Sequence, residues 1–280
     1  MTTPYHAFVE KLAGTLGEAR HLPLGGFSPP SRRGVAADAP LALIFAPHPD
    51  DECIIGLLPL RLAAESGWRI LNVPVTHGSL PARQAERSHE LAGACAYLGW
   101  EIAEAPPAAG EQTHPPFSVA GIASLLLAHR PSAVFLPHEG DWNSRHIFTH
   151  RLVMDALAEM NPGFACAVIE TEFWGVMDDP NLSVEGAPEQ VAELVAATSF
   201  HAGEVSRNPY HLLLPAWMMD NVRRGAELVG GQGRASPDFT FATLYRLRQW
   251  SGGSLHRAAA QFLPVTEPAA HCLHGNHPSA

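Results

Sequence analysis

With 280 residues and a 46 % hydrophobic share, the chain can bury a sizeable core as one large domain. Its formal net charge is −10, and Lys11 is the only lysine among its 18 basic residues. That balance excludes nucleic acid and anionic membranes as natural partners, and it leaves no lysine placed for Schiff-base chemistry. The four cysteines, Cys53, Cys95, Cys166 and Cys272, stand singly, so neither a disulfide framework nor a thiolate zinc site is indicated. No apolar run approaches the roughly 20 residues that span a bilayer, and Met1 to Leu16 lacks a secretory pattern, so the expected location is cytoplasmic. The 16 histidines favour metal or proton chemistry.

In chain order, the pattern predicts a helix from Pro4 to Arg20 and a Gly/Pro/Ser-rich loop from Pro23 to Gly34. Leu41 to Ala46 is almost wholly apolar, as a parallel strand covered on both faces should be. Asp51 to Glu65 has helical spacing in Ile54, Leu57, Leu58 and Leu62, with Gly67 beyond it. Trp68 to Val75 reads as a strand, Pro81 to Leu98 as a helix and Glu101 to Ala103 as a short strand. A Pro-rich loop follows, then a helix at Ser118 to His129 and a strand at Ala133 to Leu136. A helix from His146 to Met160 leads into a strand from Ala165 to Phe173. Such alternation predicts a Rossmann-like α/β fold, a mostly parallel sheet with helices on both faces. After Trp174 the alternation weakens. Helices at Ala187 to Ser199 and Pro215 to Val229 and a β-like stretch at Phe239 to Tyr245 are read as a C-terminal appendage, residues 174–266. The single domain is therefore expected to cover 1–266, with a disordered tail at 267–280 that holds His271, Cys272, His274 and His277.

In open parallel sheets, ligands bind beyond the carboxyl ends of the strands. The first strand runs into Pro47-His48-Pro49-Asp50-Asp51-Glu52, which has none of the glycines that a dinucleotide loop requires. His48 and Asp51, three apart at a helix start, can converge on one ion. Asp50 points elsewhere and can take a proton from water that the ion acidifies. The fourth strand runs into His138-Glu139-Gly140-Asp141-Trp142-Asn143-Ser144-Arg145-His146, with His150 one turn later on the same helix face. An imidazole from this second loop would complete a three-ligand set with positions left for water and substrate, the mark of a catalytic site.

These residues resemble the LmbE-like, or PIG-L, family of zinc-dependent N-acetylglucosaminyl deacetylases. The resemblance rests on His48-Pro49-Asp50-Asp51-Glu52 after an apolar strand and on Arg87-x-x-Glu90-Leu91-x-x-Ala94-x-x-x-Leu98-Gly99. It rests also on His146-Ile147-x-Thr149-His150, and it covers about residues 41–155. It implies His48, Asp51 and His146 as metal ligands, Asp50 as general base and Arg87 as a contact for substrate hydroxyl or phosphate groups. The implied cofactor is Zn²⁺, with Fe²⁺ as the alternative ion. The implied substrate is a small N-acetylated amino sugar or glycoside, and a homo-oligomer is admitted. The family's usual histidine before the distal ligand is replaced by Asn143, which can donate to an oxyanion but cannot shuttle a proton. His138 and Asp141 are expected near the substrate in its stead.

Each residue also has a plainer reading. An aspartate at a helix start is an N-cap, Arg87 with Glu90 is a helix-surface ion pair, and His150 is a core-facing histidine. Arg207 to His211 is a connecting loop, with a lid as the alternative, and Gly230 to Gly233 is a flexible turn. Competing functions are an amidase acting on a sugar–thiol conjugate, a non-haem Fe(II) oxygenase using His48, Asp50 and His146, and a non-catalytic sugar-binding member of the family.

Overall fold

The computed structural model describes residues 3–32, 34–103 and 117–274. The first strand, β1 (Leu41–Ala46), is buried along its whole length. Leu41, Leu43 and Phe45 enter one core cluster and Ala42, Ile44 and Ala46 the other. That is the period of a strand with helices on both faces.

Before β1 lies α1 (Pro4–Ala19); after it come α2 (Asp51–Ile54), α3 (Leu57–Ser66), β2 (Arg69–Pro74), α4 (Pro81–Leu98) and β3 (Glu101–Ile102). Next are α5 (Val119–His129), β4 (Ala133–Pro137), α6 (Ser144–Ala158) and β5 (Cys166–Thr171). The remainder holds β6 (Leu182–Gly186), α7 (Pro188–Thr198), α8 (Ala202–Val205), a 3₁₀ turn (Tyr210–Leu213) and α9 (Leu214–Leu228). It ends with β7 (Phe241–Ser251), β8 (Ser254–Arg257), β9 (Gln261–Leu263) and α10 (His271–His274). The Pro-rich loop expected after β3 falls at 104–116, outside the described residues.

One predicted helix is two. The stretch expected as Asp51 to Glu65 breaks between α2 and α3, where a Cβ on Gly56 would lie 2.9 Å from the Glu52 carbonyl and 3.0 Å from the Trp100 ring. The close approach needs glycine, and the turn lets α3 leave in a new direction.

The sheet order is β3-β2-β1-β4-β5-β7-β6-β9, with β8 against β7. Strands β3, β2, β1, β4 and β5 are parallel, whereas β7 runs antiparallel to both β5 and β6. Because β2 lies on one side of β1 and β4 on the other, a crevice opens beyond their carboxyl ends, at the topological switch point.

The C-terminal part is no appendage. β7 pairs with β5 from Cys166↔Trp250 to Thr171↔Tyr245 and so continues the same sheet. Its arginines disguise it: Arg246 and Arg248 both bind the fully buried Glu170 of β5, a cross-strand charge match that hydropathy does not display. Residues 267–274, expected to be disordered, pack against the body of the fold. Ala269 and Cys272 are buried, and the fully buried Arg61 of α3 donates to the carbonyls of Pro264 (3.1 Å) and Glu267 (2.7 Å). Residues 275–280, with His277, lie outside the described part. Among the described residues no helix is long and apolar enough to cross a membrane.

Candidate metal and catalytic site

The turn after β1 and the start of α6 meet in that crevice. The His48 amide donates to Asp51 Oδ2 at 2.9 Å, and the same oxygen lies 3.2 Å from His48 Nδ1 and 3.4 Å from His146 Nε2. The two imidazole rings are 5.5 Å apart, and one donor atom from each of His48, Asp51 and His146 lies within 4.8 Å of the others. Asn143 begins α6 as its N-cap, its side-chain oxygen accepting from the Arg145 amide at 2.9 Å, which sets His146 in the first turn.

This donor set fits a divalent cation. His146 Nδ1 donates to Asp141 Oδ2 at 3.0 Å, which leaves the lone pair on Nε2. That Nε2 is buried and has no hydrogen-bond partner among the described residues. Burial alone would lower the His146 pKa, but Asp51 and Asp141 outweigh it and push it up to about 10. Burial likewise raises the Asp51 carboxyl, yet His146 and His48 hold it well below the usual carboxylate range. The site therefore requires a positive charge between Asp51 and Asp141, which a proton or a cation can supply. Two imidazoles and a carboxylate leave coordination positions open.

Asp50 stands beside the triad in a strained conformation, φ 121°, in the left-handed half of backbone space that a β-carbon disfavours. Buried partners hold it there. Its amide donates to Glu52 Oε2 at 2.9 Å, and Glu52 Oε1 is 2.8 Å from His201 Nε2; neither Glu52 nor His201 has exposed surface. The Tyr210 hydroxyl donates to Asp50 Oδ2. Arg87 Nη2 donates to the Pro49 carbonyl at 2.8 Å and lies 3.8 Å from Asp50 Oδ1. Burial, reinforced by the negative charge of Asp51, raises the Asp50 carboxyl to about 7.

Several residues sit elsewhere than expected. His138 is buried and its Nε2 donates to the Gly175 carbonyl at 2.9 Å, so it ties two loops together. Asp141 gives one oxygen to His146 and the other to the Asn143 amide at 2.8 Å, so it orients the His146 ring. The side-chain oxygen of Asn143 is taken by the cap, leaving only its amide protons for another group. Arg87 and Glu90 do not pair with each other: Glu90 Oε1 accepts from the Gly203 amide at 2.7 Å. His150 donates through Nδ1 to the Pro137 carbonyl at 2.9 Å, apart from the triad. The Arg207 to His211 segment is a wall of the site, since Tyr210 is buried and packs on Trp174 with ring centroids 5.1 Å apart. His201 carried no motif, and its partner lies 149 positions away, so no local signal marked it. Tyr210 had a faint one, the polar and aromatic turn around it.

A doubly wound sheet with two histidines and an aspartate gathered at its switch point defines an α/β protein whose donor set can hold a metal ion in an open crevice. Within that class, residues 43–157 match the model of the PIG-L family, described as GlcNAc-PI de-N-acetylase. Among solved structures it is similar to the N,N'-diacetylchitobiose deacetylase from Pyrococcus horikoshii, with TM-score 0.58, 17 % identity, and coverage of 90 % of this chain and 94 % of that one. It is similar also to GalB, the 4-carboxy-2-hydroxymuconate hydratase from Pseudomonas putida KT2440, with TM-score 0.54, 17 % identity, and coverage of 74 % and 95 %. The zinc-inhibited teicoplanin deacetylase Orf2 follows with TM-score 0.51, 16 % identity, and coverage of 75 % and 98 %. At these identities the likeness establishes the fold, and the presence of a hydratase means that the reaction must be argued from the site. Comparison with curated proteins finds no match.

Proposed function

We propose that the protein is a metal-dependent N-deacetylase, a hydrolase acting on a small N-acetylated amino sugar or glycoside. The observation that carries this reading is the buried, partnerless Nε2 of His146 directed at Asp51 and His48, with Asp50 next to them. His48, Asp51 and His146 would hold the ion, zinc by preference and Fe(II) as the alternative. When bound, such an ion polarises the acetyl carbonyl and acidifies water. Asp50, held by Tyr210 and by the Glu52 anchor, accepts the proton of the water that adds to the acetyl carbon. The C–N bond then breaks, and acetate and a protonated amine leave. Arg87, at the edge of the Asp50 turn, would receive substrate hydroxyl or phosphate oxygens, and the Asn143 amide would donate toward the oxyanion. The family match over residues 43–157 and the deacetylases among the structural relatives support this reading.

The oxygenase alternative loses its geometry, because the carboxylate grouped with His48 and His146 is Asp51 and the sheet is α/β. The test is metal analysis combined with a primary-amine screen over N-acetylated sugars, sugar–inositol and sugar–malate conjugates, and thiol conjugates. Asp50→Asn should keep the metal and lose turnover by a factor of about 10² or more. Near-normal rates in that variant would overturn the base, and tight sugar binding without amine release would make the protein a binder.

A further inference from the structure

The N-terminal helix α1 has no buried residue. Tyr5, Phe8, Val9 and Leu12 form one stripe at i, i+3, i+4 and i+7, with exposures of 77, 63, 58 and 52 %. An isolated helix of this length is marginal in water, and Gly14 and Gly17 weaken it further by about 1 kcal/mol each relative to alanine. Neither glycine has another group within 4 Å of where its Cβ would be, so neither is there to admit a close intramolecular neighbour. The helix needs a surface to cover its stripe.

The chain carries such a surface elsewhere. A groove of about 590 Å³ lies between α7 and the 3₁₀ turn, lined by Leu22, Phe27, Val191, Val195, Leu212 and Phe241. Its wall includes His211, whose buried Nδ1 has no hydrogen-bond partner among the described residues, and Tyr5 is the one side chain of the stripe with a hydroxyl to offer. The segment that follows α1 is fastened at the groove's lip, where the Gly25 amide donates to Ser199 Oγ of the α7 C-terminus at 3.1 Å. No residue of α1 itself lines the groove. Only Arg20 to Leu24 separate the helix from Gly25, and Pro23 among them has a fixed φ. Gly25 and Gly26, at φ 61° and 72°, form a hinge suited to an extended arm.

We propose that α1 is an exchange arm, whose apolar stripe seats in the α7 groove of a second copy of this chain while the partner's α1 returns the contact. The stripe offers roughly 450 Å² per helix, and with the smaller area of each groove two reciprocal contacts bury about 1,200 Å², the lower end of the range of stable interfaces. Where each of two copies returns the contact to the other, the exchange closes as a symmetric dimer. The contact is independent of the chemistry proposed for the crevice.

Sedimentation equilibrium or light scattering on the full chain tests it. The wild type should have twice the monomer mass at tens-of-micromolar concentration. Phe8→Glu and Leu12→Glu on the exposed helix face, and Ala192→Glu on the groove wall, should each weaken self-association by about 30-fold or more, with the thermal unfolding of the body retained. A monomeric wild type, or variants that associate as the wild type does, overturns the proposal. A monomer that co-sediments with phosphatidylcholine vesicles through Phe8 and Leu12 would give the stripe to a membrane and overturn it equally.

Discussion

His146 is informative because each of its ring nitrogens has a separate assignment. One donates to Asp141 and the other faces Asp51 without a partner of its own. Asp141 is thus a positioning residue, fixing the tautomer and the ring plane from behind. Asp141→Asn preserves shape but weakens the acceptor, so metal affinity read by chelator competition should fall about 10- to 100-fold with the secondary structure unchanged. An affinity equal to the wild type would mean that the ring is oriented by packing alone. His48 and Asp51 were readable from their spacing at a strand end, and His146 from the family resemblance of the second loop. The service roles of Asp141 and His138 were not, because a polar residue in a loop gives the same signal whether it faces substrate or a neighbouring carbonyl. Glu52 stood inside the motif without an assigned role until His201 was found against it.

At the scale of elements, the joint between β5 and β7 rests on Glu170 with Arg246 and Arg248. Burial raises the Glu170 carboxyl, but the hydrogen bonds and charges of the two arginines outweigh that and hold it below its ordinary 4.5. A carboxyl depressed in the folded state stabilises the fold above its unfolded pKa, and that contribution is lost as pH falls through 4.5 toward the folded value. Urea midpoints of the wild type should therefore drop as the solution is acidified below that point. Glu170→Gln leaves two arginines without their anion and should cost about 3–5 kcal/mol at pH 7. The variant should also show a shallower acid dependence, and equal slopes for the two proteins would remove Glu170 as the cause. The same joint explains why the C-terminal part looked like an appendage. Arginines within a strand break the apolar pattern, and the carboxylate that accommodates them sits 76 positions earlier for Arg246 and 78 for Arg248.

For the molecule as a whole, a cation that binds only the folded crevice must stabilise the fold by mass action. At a free ion concentration 100 times its Kd the gain is about 2.7 kcal/mol, which for a chain of this size raises the melting temperature by about 5 °C. His146→Ala should remove that shift and also lower the metal-free melting temperature, because the buried Asp51 and Asp141 carboxylates then have no imidazolium between them. A shift that survives in the variant would place the ion at another set of donors, of which Glu139 with His150 and Glu170 is one grouping.

Local chemistry was enough to give the parallel β/α alternation, since apolar runs bounded by glycines and polar turns act within a few residues. It was enough also to mark His48 and Asp51 and the second loop, because a crevice beyond strand ends follows from the alternation itself, whereas the choice of His146 within that loop came from the family resemblance. Only the folded chain decided which polar residues support others, that Tyr210 and His201 stand behind the Asp50 turn, and that β7 completes the sheet. Those relations reach as far as 160 positions along the chain, and the energies that select them, burial of charge and its compensation, depend on distances that exist only once the chain has closed.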